Sequence, residues 1–464
     1  MTDATAPNNF RRSSAELLRL AAPIAAGQIA VIGMTVTDIY MVGQVSTDAL
    51  AAVQLGGSLW SIAVFIILGI MTGNSPIIGQ LYGAGRNTGV RHQFQQVLWI
   101  SLPLGLLASA TVATGIWLLP NLDISTEVAS QTQAYLAPYL ITAVMLSTFF
   151  ALRTTFEGLG DPRPVMVFNF ITFGLNFPLN YLFIYGGFGI PALGGPGAGW
   201  GTLVVMCFLF ASMLLYAKHS AKLRYLQLYR DFAAPCWATI RDTLKLGIPI
   251  ALYITVEYSF FSLIPLFIAH LGAAVVGAHA IALNVDSLAF MVPLGLSHAL
   301  SIKVAHSLGA GKPKQARQIA ITGFKLVWLL AATISVGKLL LNEEIPRWFS
   351  DDSATQLIAA NLFLFAAVLG AIDCLQIAAS GALRGYKDTR VPLLMQVTAF
   401  WVIAFPISYT LGLTDLWGEP LGVYGFWVGM IVAVSIAGVL LISRWNLLSK
   451  RFIANSPELI AAPD

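Results

Sequence analysis

Leu18-Arg-Leu-Ala-Ala-Pro23-Ile-Ala25 opens one apolar stretch, and Leu244-Lys-Leu-Gly-Ile-Pro249-Ile-Ala251 opens another 226 positions later (18 to 244). The same separation relates Gly83-Ala-Gly-Arg86 to Gly309-Ala-Gly-Lys312. Further along, Asp161-Pro-Arg163 pairs with Asp388-Thr-Arg390 at a separation of 227, and Pro178 and Tyr181 pair with Pro406 and Tyr409 at 228. Landmarks at a near-constant separation mark a duplicated unit.

What is duplicated is a membrane-spanning array. Of 464 residues, 57% are hydrophobic and 10% charged, against roughly 25% charged in an ordinary soluble domain. Runs of about 20 apolar residues, each long enough to cross a bilayer, start near residues 18, 50, 94, 131, 164, 197, 244, 275, 318, 355, 391 and 422. The expected fold is therefore an all-α integral membrane protein with twelve transmembrane helices. They form two six-helix lobes, which a six-span period inserts in the same orientation as a parallel repeat. The corresponding division is a first lobe over 1–217, a cytoplasmic linker over 218–243, a second lobe over 244–447 and a cytoplasmic tail over 448–464. The first apolar segment is too long for a signal-peptide core and reads as a retained helix.

Alternating the loops between two sides places 23 of the 26 Lys and Arg residues on one of them, leaving Lys338 and Arg347 opposite and Lys325 inside a span. By the positive-inside rule the basic side is cytoplasmic, and so are both termini. The formal net charge of +4 is thereby a matter of topology, and no nucleic-acid partner is implied. Three scattered cysteines, Cys207, Cys236 and Cys374, form neither a disulfide framework nor a zinc motif. Neither Gly-rich loop fits a nucleotide-binding P-loop: His306 stands where Lys312 would need the first glycine, and Pro313 follows it. No hydrolytic triad, HExxH or paired-carboxylate pattern is present, so the chain is not expected to be an enzyme, and no cofactor is expected.

The chemistry sits in four acids within apolar runs: Asp38, Glu257, Asp286 and Asp373. A charged Asp at the centre of a membrane helix costs ~2.5 to 3.5 kcal/mol. Across the repeat, Asp38 falls on Ile264, Glu257 on Val31, Asp286 on Trp60 and Asp373 near Leu146. Scaffold landmarks recur and the acids do not, as though the acids were fitted to a task. With scarcely any Lys or Arg at membrane depth, their expected partners are protons, metal cations or a cationic substrate. In the same half as Asp38, Asn176 and Asn180 share a helix face at i, i+4, and Thr202 adds a hydroxyl. One carboxylate, two amide carbonyls and a hydroxyl make an all-oxygen set of the kind hard cations favour. A hydrogen-bonded cluster around a protonated Asp38 would use the same atoms. Pro178 lies between the two asparagines, and for it and its repeat mate Pro406 a bending role is expected.

At these residues the chain closely resembles the multidrug and toxic compound extrusion (MATE) family, NorM branch, over essentially all twelve spans. The stretches that carry the resemblance are Thr37-Asp38 with Met41-Val-Gly43, Asn176-Phe-Pro-Leu-Asn180-Tyr, Glu257 after the Pro249 opening, Met291-Val-Pro293-Leu-Gly295, and Ile372-Asp373-Cys-Leu-Gln376 leading to Leu383-Arg-Gly-Tyr-Lys-Asp388. The resemblance implies a MATE/MOP-type fold and a secondary-active exporter of cationic, amphipathic drugs in exchange for inward Na⁺ or H⁺. It implies a cation site, open to Na⁺, at Asp38, Asn176, Asn180 and Thr202, and second-lobe acids for cation or drug at Glu257 and Asp373. Asp286 departs from the small residue that the pattern calls for and is an additional candidate. The implied setting is a bacterial inner membrane, with a monomer in the lipid bilayer. The alternative is a lipid-linked precursor flippase, which would line its cleft with Arg or Lys.

Overall fold

The computed structural model describes residues 7–121 and 123–455; residues 456–464 of the expected tail lie outside them. Among the described residues the chain is helical, with no strand beyond a single bridge between Gly187 and Ile190. Twelve helices among the described residues are long and apolar enough to cross a membrane. Spans 1 to 6 are Phe10–Gly43, Thr47–Gly83, Asn87–Asn121, Tyr139–Gly158, Arg163–Tyr185 and Gly195–His219. Spans 7 to 12 are Trp237–Leu271, Ala273–Gly309, Pro313–Leu340, Ser353–Gly385, Arg390–Leu413 and Val423–Ala454. A bilayer core offers no water to backbone polar groups, and helices satisfy all of theirs internally. Short polar caps start several of them. Ser46 accepts from Ala49 N–H at 3.0 Å ahead of span 2, and Asp352 accepts from Thr355 N–H at 2.9 Å ahead of span 10. The Thr355 hydroxyl and N–H together hold the Asp352 carboxyl below its ordinary value.

Several expected boundaries differ. Spans 1, 3 and 7 start at Phe10, Asn87 and Trp237, ahead of the expected positions near 18, 94 and 244, so span 7 takes up the end of the expected linker over 218–243. The apolar run starting near residue 131 begins in a separate short helix, Thr126–Leu136, and span 4 begins only at Tyr139. Pro138 lies between them and cannot donate to the helix before it.

The chain forms two compact units. One is Ala26–Ala251; the other comprises the described residues up to Ala25 together with those from Leu252 onward. The chain changes unit at Ala25/Ala26 and back at Ala251/Leu252, in each case at the end of one copy of the repeated opening. Leu17, Leu20, Ala21 and Ile24 of span 1 accordingly lie in the same buried cluster as Leu296, Leu300 and Ala379.

Small residues allow this arrangement. In the first unit a Cβ on Gly69 would come within 2.2 Å of the Ala251 backbone. In the second, a Cβ on Gly295 would come within 2.8 Å of the Ala25 Cβ. Gly69 and Gly295 are repeat mates, and so are Ala25 and Ala251, so one close helix approach is built twice. Helices in lipid associate largely through such close packing.

The connection over 218–243 does not run free in the first unit. Gln95 of span 3 donates to the carbonyls of Leu228 and Arg230, each at 3.0 Å, and accepts from Ala233 N–H. Gln96 donates to Ala234 O at 3.0 Å and accepts from Cys236 N–H at 2.6 Å. Two buried glutamines thus take up backbone groups that a loop would otherwise leave to water.

The two prolines expected to bend their helices are not equivalent. Pro178 lies inside an uninterrupted α-helix, whereas Pro406 follows a π-helical segment, Thr398–Ala404.

Gly69→Leu should lower the thermal unfolding midpoint in detergent, because overpacking a close contact typically costs ~1–3 kcal/mol. Gly57→Ala serves as the control: a Cβ there meets nothing within 4 Å, and its midpoint should match wild type. Equal midpoints for the two variants would refute the packing account.

Candidate functional site

Asp38 lies on span 1, half-buried, where the sequence offers no charged neighbour along its own helix. Its partners come from span 5. Asn176 Nδ2 donates to Asp38 Oδ1 at 3.0 Å, and Asn180 Nδ2 donates to the same oxygen. The i, i+4 spacing brings both amides to one face, and both side chains are buried. Gly201 of span 6 makes room for this, since a Cβ there would fall 2.2 Å from Asn180 Oδ1.

The amides were expected to offer their oxygens, and in this structure they present their N–H groups. A carboxylate is satisfied by donors, and the two amide oxygens are left buried without hydrogen-bond partners. Amide N and O exchange places on a half-turn of the side chain. The same three residues can therefore hold a carboxylate by donation or surround a cation with oxygen, and the donor set fits either.

Thr202 joins the group less directly. Its hydroxyl donates to the Ala198 carbonyl at 2.9 Å and accepts from Tyr139 at 3.5 Å, and Tyr139 in turn lies 2.7 Å from the Tyr135 hydroxyl. Asp38 acts electrostatically on both tyrosines. These rings were not singled out in the sequence. Their only signal was an i, i+4 pair of tyrosines flanking Pro138.

The second unit gathers the other three acids. Glu257 faces Gln376 and Arg384, and Gln376 Nε2 donates to the Tyr253 hydroxyl at 2.7 Å and to Gln396 Oε1 at 3.2 Å. Arg384, buried near the end of span 10, donates to Ser297 Oγ at 2.9 Å and faces Glu257 and Tyr253 electrostatically. Asp373 is 8% exposed, feels the charges of Glu257, Asp286 and Lys338, and has an Oδ1 with no hydrogen-bond partner.

Asp286 departs from expectation. The sequence left it without a base, because Lys338 counted with the loops. Lys338 is instead a buried residue of span 9, only 5% exposed, and its ammonium forms an ion pair with Asp286. The last turn of an apolar helix and a loop edge look alike in sequence. Asp38 with Asn176 and Asn180 thus makes one group, and Glu257, Asp286 and Asp373 make a second in the other unit.

The MatE family model matches this chain twice, over residues 23–182 and 249–410. The chain belongs to the MATE family. Multidrug resistance protein PmpM of Pseudomonas aeruginosa is 38% identical over 455 residues, covering 97% of this chain and 94% of that protein. Multidrug resistance protein NorM of Aliivibrio fischeri is 34% identical, covering 94% and 95% respectively. The crystal structure of the eukaryotic MATE transporter AtDTX14 superposes with a TM-score of 0.81 at 19% identity over 96% of this chain and 98% of that one. That last likeness concerns fold alone. The two matched stretches of the MATE family model fall one in each half of the repeat and include Asp38, Asn176, Asn180, Glu257, Asp286 and Asp373.

Asp38→Asn retains an acceptor for the two asparagine amides, so this MATE protein should unfold close to the wild-type temperature with that substitution. Asp38→Leu strands two buried N–H groups, at ~1–3 kcal/mol each. Its midpoint in detergent should fall well below that of Asp38→Asn; identical midpoints would show that the amides do not depend on residue 38.

Proposed function

We propose that this protein is a secondary-active multidrug exporter that moves cationic, amphipathic drugs outward in exchange for inward Na⁺ or H⁺. One observation carries the reading: two separate acid groups, one in each unit, each include buried oxygen atoms without partners. These are Asn176 Oδ1 and Asn180 Oδ1 beside Asp38, and Asp373 Oδ1 near Glu257. Such atoms are costly to bury unless a ligand uses them, and a cation is the ligand for which they are suited. The multidrug resistance names of PmpM and NorM agree with it.

In this reading Asp38, Asn176, Asn180 and Thr202 take the coupling ion, and Glu257 and Asp373 take the ion or the drug. Ion and drug compete, either for the carboxylates directly or for the conformation each favours, and a ligand shifts that equilibrium only by its differential affinity for the two states. An inward gradient is sufficient as a driving force. About 100 mV is worth ~2.3 kcal/mol per charge, and each pH unit ~1.36 kcal/mol. The setting is a bacterial inner membrane, with a monomer, the basic loops and both termini cytoplasmic, residues 218–243 between the lobes, and a tail from residue 448.

The flippase alternative needs basic groups free to meet a pyrophosphate. The two buried bases of the second unit, Lys338 and Arg384, are already engaged by Asp286 and Ser297.

Reconstituted in proteoliposomes, the wild-type protein should exchange ethidium or norfloxacin against a Na⁺ gradient or a pH gradient imposed separately, and whichever gradient drives efflux identifies the coupling ion. Asp38→Asn should abolish this exchange while the protein stays folded. Exchange at the wild-type rate in that variant would sink the assignment of Asp38. Failure of the wild type to move any cationic compound would favour the flippase.

A further inference from the structure

Export of cations does not call for an ammonium in the acid group of the second unit, yet one is there. Lys338 Nζ is paired with Asp286 Oδ1 and donates to the Ala366 carbonyl at 3.3 Å. Asp286, Lys338 and Asp373 line one small cavity, which Phe290, Pro293 and Ser335 help to close. Asp373 lies in it with Oδ1 unpartnered and the residue 8% exposed. Ala366, Gly370 and Asp373 follow one another at helical spacing on span 10, so they share a face. A Cβ on Gly370 would lie 3.0 Å from Lys338 Nζ and 3.6 Å from Asp286 Oδ1. The missing side chain at Gly370 is what admits the ammonium to this face. Two carboxylates therefore border one cavity that holds one ammonium, and Asp286 has it.

We propose that Lys338 is a tethered cation that competes with the transported organic cation for Asp373. Paired with Asp286, it leaves the buried Asp373 Oδ1 without a partner, for a monovalent ammonium or phosphonium group to use in the conformation that admits the drug. Turned to Asp373, it displaces that group. The four-carbon stem lets the ammonium change partner by side-chain rotation without backbone movement. The other charged group that acts on Asp373 is Glu257, whose carboxyl favours a cation and which is faced in turn by Arg384, held by Ser297. Lys338 thereby sets affinity and the rate of release, with a bound drug and an internal charge exchanging at one carboxylate. The proposal rests on the reading of the protein as a cation exporter.

The test is binding of tetraphenylphosphonium, a permanent monocation, to purified protein in detergent. Lys338→Met removes the competitor and should lower Kd roughly tenfold, which corresponds to about 1.4 kcal/mol, while slowing release from preloaded protein. Asp286→Asn frees the ammonium for Asp373 and should raise Kd by a similar factor. The double substitution should fall between the two. A pair that only braces spans 8 and 9 would lower the unfolding midpoint of both single variants and move both Kd values the same way. That result, or a Kd for folded Lys338→Met equal to or weaker than wild type, overturns the proposal. If Lys338→Met does not fold, Asp286→Asn decides alone, and an unchanged Kd there is equally fatal. A wild-type protein that binds no tetraphenylphosphonium would instead count against the export reading itself.

Discussion

A carboxylate on a bilayer-spanning helix has lost the water that would solvate it, and the protein must supply what water no longer does. The four acids singled out from the sequence meet that requirement in four ways, and a fifth, Glu157 of span 4, pairs with Arg153 at 2.7 Å. Asp38 receives two amide N–H groups, Glu257 faces Gln376 and the Arg384 guanidinium, and Asp286 has the ammonium of Lys338, while Asp373 keeps one oxygen unmet. These differences grade the acids by how much a ligand could gain at each. Asp286 is paired with an ammonium tethered to the protein. Asp38 is held by neutral groups that can turn their oxygens inward, and Asp373 has a lone pair to offer.

The duplicated scaffold is indifferent to this chemistry. Gly158 and Gly385 are repeat mates, and a Cβ on either would fall 2.8 Å from a carbonyl, that of Ser75 in one unit and of its mate Ser301 in the other. Gly201 faces the side chain of Asn180; its mate Gly429 faces Ser408, the mate of Asn180. The second copy thus keeps the contact and loses the amide, and the Ser408 hydroxyl turns back to the Ala404 carbonyl at 2.8 Å. Where the first unit has Asp38, the second has Ile264, 2% exposed within an apolar cluster. Close approach of helices tolerates few residue types and so survives duplication; an ion site can be discarded from one copy without loss of packing.

The same distinction explains what the sequence discloses. Twelve spans and the repeat are legible because hydropathy and glycine spacing are local properties. The grouping of Asp38 with Asn176 and Asn180 is legible because the asparagines announce themselves at i, i+4 in an otherwise apolar run. The pairing of Lys338 with Asp286 is not, because it joins helices separated by many residues and Lys338 sits where a span and a loop cannot be told apart. Tyr135 and Tyr139 escape notice for a related reason: aromatic residues are ordinary in membrane helices, and only the fold directs the Tyr139 hydroxyl to Thr202 and that of Tyr135 to Tyr139.

One irregularity links the levels most directly. Between Arg163 and Pro178 the first copy has one residue fewer than the second has between Arg390 and Pro406, so the repeat separation rises from 227 to 228 within span 11. An extra residue in an α-helix would rotate everything beyond it by about 100°. Span 11 avoids this with its π-helical segment, in which Phe405 N–H reaches back to the Phe400 carbonyl, five residues away rather than four. A π turn carries the additional residue without passing the rotation on. Gln396, ahead of the segment, keeps its place beside Gln376, and Ser408, beyond it, keeps its place against Gly429. A bulge of this kind interrupts the regular ladder of hydrogen bonds, and Pro406 follows it with no N–H of its own; side chains brace the segment instead, Trp401 Nε1 donating to the Val256 carbonyl at 3.2 Å and Phe400 lying fully buried in the apolar cluster. Span 5, with Pro178 in a continuous α-helix beside Asp38, lacks that feature, so the two units differ in backbone hydrogen bonding as well as in the acids they carry.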